Sequence, residues 1–229
     1  MRSLETSVHA HESKLYYEFS QFYDIVFGRI FYRRIATVIR SLRIPQGAKV
    51  LELGAGTGLS FRAYPQHCQV VGIDLAPDML EHAQEKIDRN GWRHLRVMTM
   101  NALDLEFPDS SFDYVMAFHL VSVVPDAVRL MQEAQRVCRP GGTIVVINHF
   151  LSDKPILAAI DRRLEPITRR LGWHTLRRSD VFDKLPLDIQ NVYKLPRRSL
   201  FTIVQAKNRK DDSVSGLGAG VDGRNAVAH

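Results

Sequence analysis

Residues 49–60, KVLELGAGTGLS, constrain the architecture of this chain more than any other stretch. Val50, Leu51 and Leu53 form a short apolar run that fits a buried parallel strand. The run stops at Gly54, Gly56 and Gly58, the residue type needed where backbone turns with positive φ or lies against a ligand. Thr57 is placed to cap a helix over residues 58–64. The stretch therefore predicts strand, turn and helix, with free N–H groups facing a bound group. A dinucleotide fingerprint, G-x-G-x-x-G, would need its last glycine at position 59, which is leucine. About 20 residues on, QVVGIDLAPDML supplies a second apolar strand ending in Asp74, an acid placed to take the hydroxyls of a ribose. Glu52 adds a carboxylate at the tip of the first strand. Two acids, with no lysine or arginine in residues 50–61, suit a cationic, phosphate-free nucleoside better than a pyrophosphate.

Further along, the chain alternates strand and helix signals. Helix is expected over residues 78–90, with Pro77 at its start and Asn90-Gly91 as its stop. Strands are expected over 95–100, 112–118 and 143–147, with a helix over 127–138 and a turn at Arg139-Pro140-Gly141-Gly142. Two more strands, near 187–195 and 200–206, would close the sheet. The pattern gives an α/β fold, a doubly wound and mostly parallel sheet. His119 falls at the carboxyl end of the fourth strand, where open α/β sheets bind ligands.

Two basic and apolar segments flank this core. From Ser13, Leu15, Phe19, Phe22, Val26 and Ile30 make one helical apolar stripe, with Arg29, Arg33, Arg34, Arg40 and Arg43 assigned to the opposite, basic side. Residues 13–43 thus read as an amphipathic helical cap. Ile156, Leu157, Ile160, Leu164, Ile167 and Leu171 follow helical spacing interrupted by Pro166, and residues 161–178 hold six arginines against two acids. Residues 1–12 and 208–229 are polar or Gly/Ser/Ala-rich and are expected to be disordered. Polar residues stand where a secretory leader would be apolar, so none is expected. Cys68 and Cys138 have no metal-ligand spacing, and no metal site is expected. A net charge of +6 points to an anionic partner.

The acid followed by G-x-G-x-G, with Asp74 after the second strand, resembles the class I S-adenosylmethionine-dependent methyltransferases. YDIVFGRIF, HLVSVVPD, VINHF, LGWH and LPRRSLFTIVQAKN narrow the likeness to the bacterial phosphatidylethanolamine N-methyltransferases, over roughly residues 16–207. The resemblance implies a seven-stranded, Rossmann-like methyltransferase fold over 13–207 with S-adenosyl-L-methionine as cofactor. It implies that Gly54, Ala55, Gly56 and Gly58, with Glu52, Asp74, Leu75 and Met79, line that cofactor. Asn101-Ala102-Leu103 sits where the class usually has Asp-Ala, so adenine would meet an uncharged carbonyl oxygen. Tyr16 and His119 would lie near the cofactor's methionine end. Tyr23 and His149 are the implied catalytic pair, orienting the lipid amine and taking its proton.

Arg162, Arg163, Arg169, Arg170 and Trp173 are expected to meet substrate and an anionic membrane surface. The implied protein is a cytoplasmic monomer, held peripherally on the inner face of the cytoplasmic membrane. Nucleic acid is not an expected partner: the arginines lie beside an apolar stripe, and AFHLV stands where nucleic-acid methylators carry (Asp/Asn)-Pro-Pro-aromatic. The rival reading is a ubiquinone/menaquinone-type or other small-molecule methyltransferase. A non-catalytic cofactor-binding protein is a third.

Overall fold

The computed structural model describes residues 28–151, 176–197 and 199–209. Within them α1 (Gly28–Ser41) precedes β1 (Lys49–Leu53), a 3-10 turn (Phe61–Ala63) and β2 (Gln69–Asp74). Then come α2 (Pro77–Asn90), β3 (Leu95–Thr99), β4 (Phe112–Phe118), α3 (Ala127–Val137) and β5 (Cys138–His149). The chain closes with α4 (Arg178–Phe182), β6 (Leu187–Lys194) and β7 (Phe201–Asn208). Outside the described residues lie the expected segments 1–12 and 13–27, the Pro166-interrupted helix, and the tail expected over 208–229 from residue 210 on; Asn208, expected to be disordered, instead ends β7 and is buried.

The strands form one seven-stranded sheet in the order β3-β2-β1-β4-β5-β7-β6. β1 pairs in parallel with β2 and β4, and β5 continues the parallel run beside β4. Only β7 is reversed: it pairs antiparallel with β5 on one side and with β6 on the other, so β6 again runs in the direction of β5. The order reverses between β1 and β4, and that switch point opens a crevice at the carboxyl ends of both strands.

Period-two alternation sends successive β1 residues to opposite faces. Leu51 and Leu53 pack with α3 residues such as Leu130 and Met131, while Val50 joins Ile35, Val38 and Ile39 of α1 and Ala83 and Ile87 of α2. Both faces are thus covered, the reason these strands read as continuous apolar runs.

Four expectations change in detail. The helix expected over 58–64 is only the 3-10 turn Phe61–Ala63, with no side-chain cap, and Lys86 Nζ donates to the Thr57 carbonyl at 2.7 Å. Residues 139–142 are a bulge inside β5, because Cys138 already pairs with Phe112 before Thr143 pairs with Tyr114. The short helix α4 had no sequence signal. Arg34 is buried, not part of the solvated basic side of α1, since it lies three residues from buried Phe31 and four from buried Val38.

The last strand is pinned at its far end. Asn208, 2% exposed, donates through Nδ2 to the carbonyls of Gln135 (3.0 Å) and Cys138 (2.7 Å), so β7 is tied to the α3–β5 junction. Asn208→Ala would strand both carbonyls in a dry site. Chemical denaturation should show a loss of roughly 2–4 kcal/mol of unfolding free energy.

Candidate functional site

Glycine is obligatory at the β1 turn. Gly54, Gly56 and Gly58 have φ of 69°, 52° and 73°. A Cβ on Gly54 would lie 2.8 Å from Leu120, and one on Gly58 2.6 Å from the Phe61 ring. The turn is stitched by Ala55 N–H to the Ile73 carbonyl and Gly58 N–H to the Ala55 carbonyl, both 2.9 Å. Its N–H groups are therefore not arrayed as a helix N-terminus, which corrects the expected strand–turn–helix.

Asp74 ends β2 beside this turn. Its Oδ2 accepts from Gly56 N–H at 2.8 Å and its Oδ1 from Ala76 N–H at 3.0 Å. A carboxylate has about four acceptor positions, so two remain for the hydroxyls of a ribose. Met79 touches the space over Gly56, and Leu75 is 69% exposed beside Asp74. Asn101 spends an Oδ1 lone pair on Leu103 N–H (3.0 Å) in a local turn, leaving one acceptor position, and Ala102 and Leu103 pack on the core.

Glu52 does something the sequence did not show. It is 3% exposed and accepts from the Ser60 hydroxyl and the Tyr64 hydroxyl, each at 2.7 Å. It therefore anchors the segment leaving the glycine turn from behind. Burial pushes its pKa up to about 7, opposed by the Ser60 and Tyr64 bonds and reinforced by the charge of Asp74. Burial also raises the Tyr64 phenol.

On the other side of the crevice stands a cluster built by three elements. His119 takes a left-handed φ of 60°, and its N–H donates to the Ile147 carbonyl at 2.7 Å. Its ring lies 4.6 Å from both Phe31 of α1 and Phe201 of β7. Arg34 lies over Phe201, its Cζ 4.8 Å from the ring centre, and its Nε donates to the Leu195 carbonyl at 2.8 Å. Burial, and then the Arg34 charge, push the His119 pKa down to about 3, so its ring is neutral near pH 7. His149 ends β5 with Nδ1 bonded to the Leu200 carbonyl at 3.0 Å, which puts the neutral ring's proton on Nδ1 and its lone pair on Nε2. Buried Asn148 ties that strand end to Ser122 N–H and Oγ, both 3.3 Å.

The β1, β2, β4 and β5 ends thus assemble Gly54–Gly58, Asp74, His119 and His149 along one edge of the sheet. Tyr16, Tyr23, Arg162, Arg163, Arg169, Arg170 and Trp173 lie outside the described residues. Sequence reasoning missed Phe31, Arg34, Leu120 and Phe201. Arg34 was readable from its helical spacing to Phe31 and Val38; the others meet only through the sheet.

Fold and turn together define a doubly wound protein with a crevice at the β1/β4 switch point, and Leu59 stands where a pyrophosphate-binding turn has its third glycine. A family model described as "Methyltransferase domain" matches residues 51–146. A phosphatidylethanolamine N-methyltransferase of Cereibacter sphaeroides is 42% identical over 157 residues, 67% of this chain and 75% of that protein. A demethylmenaquinone methyltransferase of Bacillus subtilis (strain 168) is 27% identical over 149 residues, 63% of this chain and 64% of that one. Among solved structures, the YcgJ protein of Bacillus subtilis superposes with a TM-score of 0.66 at 16% identity, covering 77% of this chain and 98% of its own. Geranyl diphosphate methyltransferase in complex with SAM gives 0.62 at 17%, covering 72% and 79%. The likeness to these two structures shows the fold alone.

The chain belongs to the class I S-adenosylmethionine-dependent methyltransferases. Its cofactor is S-adenosylmethionine. The residues present fit that group: a glycine turn that admits no Cβ, a carboxylate with acceptor positions left for a ribose, and no phosphate-binding glycine at position 59.

Two measurements follow. Asp74→Ala removes a charged acceptor, so calorimetry should show S-adenosylmethionine affinity lower by tenfold or more, about 1.5–3 kcal/mol. Glu52 keeps its proton in the folded chain after the unfolded chain has lost it, so its contribution to stability falls as pH rises from about 4.5 to about 7. The loss is roughly 3 kcal/mol by pH 8. Denaturation of Glu52→Gln at pH 5 and pH 8 should show that slope gone.

Proposed function

We propose that this protein transfers the methyl group of S-adenosylmethionine to the amine of phosphatidylethanolamine, and to its mono- and dimethyl forms, at a membrane surface. The observation that carries this is the 42% identity to the Cereibacter sphaeroides phosphatidylethanolamine N-methyltransferase. The cofactor, when bound, supplies an electrophilic methyl on a sulfonium, which is already a good leaving group. Methyl transfer therefore asks the protein chiefly for position and for a deprotonated acceptor.

An ethanolamine amine is mostly protonated near neutral pH, and an ammonium has no lone pair to offer. His149 is held by Leu200 so that Nε2 is the basic nitrogen, and in this reading it receives that proton, with Tyr23 orienting the amine. Phe31 and Phe201 keep water from the same edge. The arginines at 162, 163, 169 and 170, with Trp173, supply the contact with anionic headgroups, each worth about 1 kcal/mol near such a surface. No helix among the described residues is long and apolar enough to cross a membrane, so docking in this reading is peripheral. The site faces the cytoplasm.

A demethylated quinone is the competing substrate, given the demethylmenaquinone methyltransferases at 26–30% identity. The two readings separate in one assay. Radiolabelled S-adenosylmethionine is supplied with vesicles containing phosphatidylethanolamine, with demethylmenaquinone and bulk RNA present as competitors. Label should appear in the lipid headgroup. Label in quinone or RNA and never in lipid overturns the proposal.

A further inference from the structure

We infer that Arg34 and His119 together bind an oxyanion of the methyl acceptor, the phosphodiester of its headgroup, between α1 and the β6–β7 turn. The inference rests on the lipid reading above and adds to it the residues that hold the phosphate.

The starting observation is a charge without a counter-charge. Arg34 is 6% exposed, and no carboxylate among the described residues pairs with it. Its Nε is used on the Leu195 carbonyl, but Nη1 is buried with no partner. A guanidinium removed from water without an anion is among the costliest groups a protein can hold, and burial already lowers its pKa. Phe31 and Phe201 lend it ring faces at 5.7 and 4.8 Å, which compensates only in part.

The second observation is independent of the first. Both ring nitrogens of His119 are buried, and neither has a hydrogen-bond partner. Two polar side chains with open valences, set against the same two aromatic rings, make a candidate binding site. Its donors define the ligand. Arg34 offers N–H groups only, and neutral His119 offers one N–H. Acceptor oxygens carrying negative charge meet both, and such an anion would also neutralise the guanidinium.

Location selects the bearer of the anion. His119 follows β4 directly, and the next residue, Leu120, abuts Gly54 of the cofactor turn. Asp74 marks the ribose on the β2 side, whereas Phe201 and Leu195 belong to the β7–β6 side, across the switch point. An anion here thus belongs to the molecule facing the cofactor. Leu200, 67% exposed, stands next to Phe201, so an apolar surface adjoins the anion site, as a phospholipid requires. The carboxylate of the cofactor's own methionine part is the rival source.

The test compares wild type with Arg34→Met, Arg34→Lys and His119→Asn. Glycerophosphoethanolamine, a water-soluble phosphodiester headgroup, and S-adenosylmethionine are titrated separately by calorimetry, and turnover of phosphatidylethanolamine vesicles is measured. Arg34→Met should lower diester affinity and kcat/KM for the lipid by tenfold or more, with cofactor affinity within twofold of wild type. Arg34→Lys should recover part of both. Removing an unpaired buried charge should also leave the ligand-free melting temperature of Arg34→Met equal to wild type or higher, which a structural role would not do. A lower melting temperature with unchanged diester affinity overturns the inference. So does a tenfold loss of cofactor affinity, which would assign the anion to the cofactor, or inorganic phosphate binding wild type as tightly as the diester. If wild type methylates quinone and not lipid, it is the substrate reading that has failed. If wild type methylates lipid and the variants match it, only the phosphate site has failed.

Discussion

The site depends on a carboxylate that the chain buries without a cation. Glu52 occupies the β1 face turned towards α1 and α2, where every neighbouring strand position is apolar, and two hydroxyls are its hydrogen-bond partners. Those hydroxyls, on Ser60 and Tyr64, bracket the 3-10 turn. The bonds therefore fix where the chain goes after the glycines, and the glycines in turn fix where Asp74 finds Gly56 N–H. The charge of Asp74 reaches Glu52 and adds to the rise of its pKa. A cationic ligand such as a sulfonium nucleoside, set beside Asp74, meets that negative charge as an attraction.

Across the switch point the electrostatics invert. The β1–β2 side carries the carboxylates of Glu52 and Asp74; the far side carries the Arg34 charge beside the neutral ring of His119. Glu52, Asp74 and His119 are fixed at three different strands and Arg34 on α1, so the two halves stay apart. Lys86 reaches the turn from α2, although no cation is encoded in residues 50–61, and donates to the Thr57 carbonyl.

Much of this was legible in the sequence, for identifiable reasons. Strand and helix limits were readable wherever period and punctuation agreed: Pro77 and Gly91 bracket α2, and Gly91 adopts the left-handed cap its identity foretells. Phe112–Phe118 was read to the residue. The short 3-10 turn was not legible, because the partners of Ser60 and Tyr64 come from β1 and not from the local chain. Residues 139–142 carry turn chemistry, yet pairing with β4 resumes on either side of them. Arg34 was hidden by its company. Five arginines in a short span suggested one basic side, while the helical period put one of them beside Phe31, on the inner face. His119 was placed correctly at a strand end, but its left-handed backbone, unusual for a residue with a Cβ, has no sequence signature.

The antiparallel pairing of β7 has one more implication. Phe201 is opposite His149 and Thr202 opposite Asn148, and this register is held from the distant end of the strand, at Asn208. The connection 195–200 adds a hold at its own end, where Phe201 N–H donates to Ser199 Oγ at 3.1 Å. Changes in that hairpin are tolerable only where they leave the Leu195 and Leu200 carbonyls in place for Arg34 and His149. The loop at the rim thus supports the chemistry through backbone atoms, which a change of side chain leaves in place.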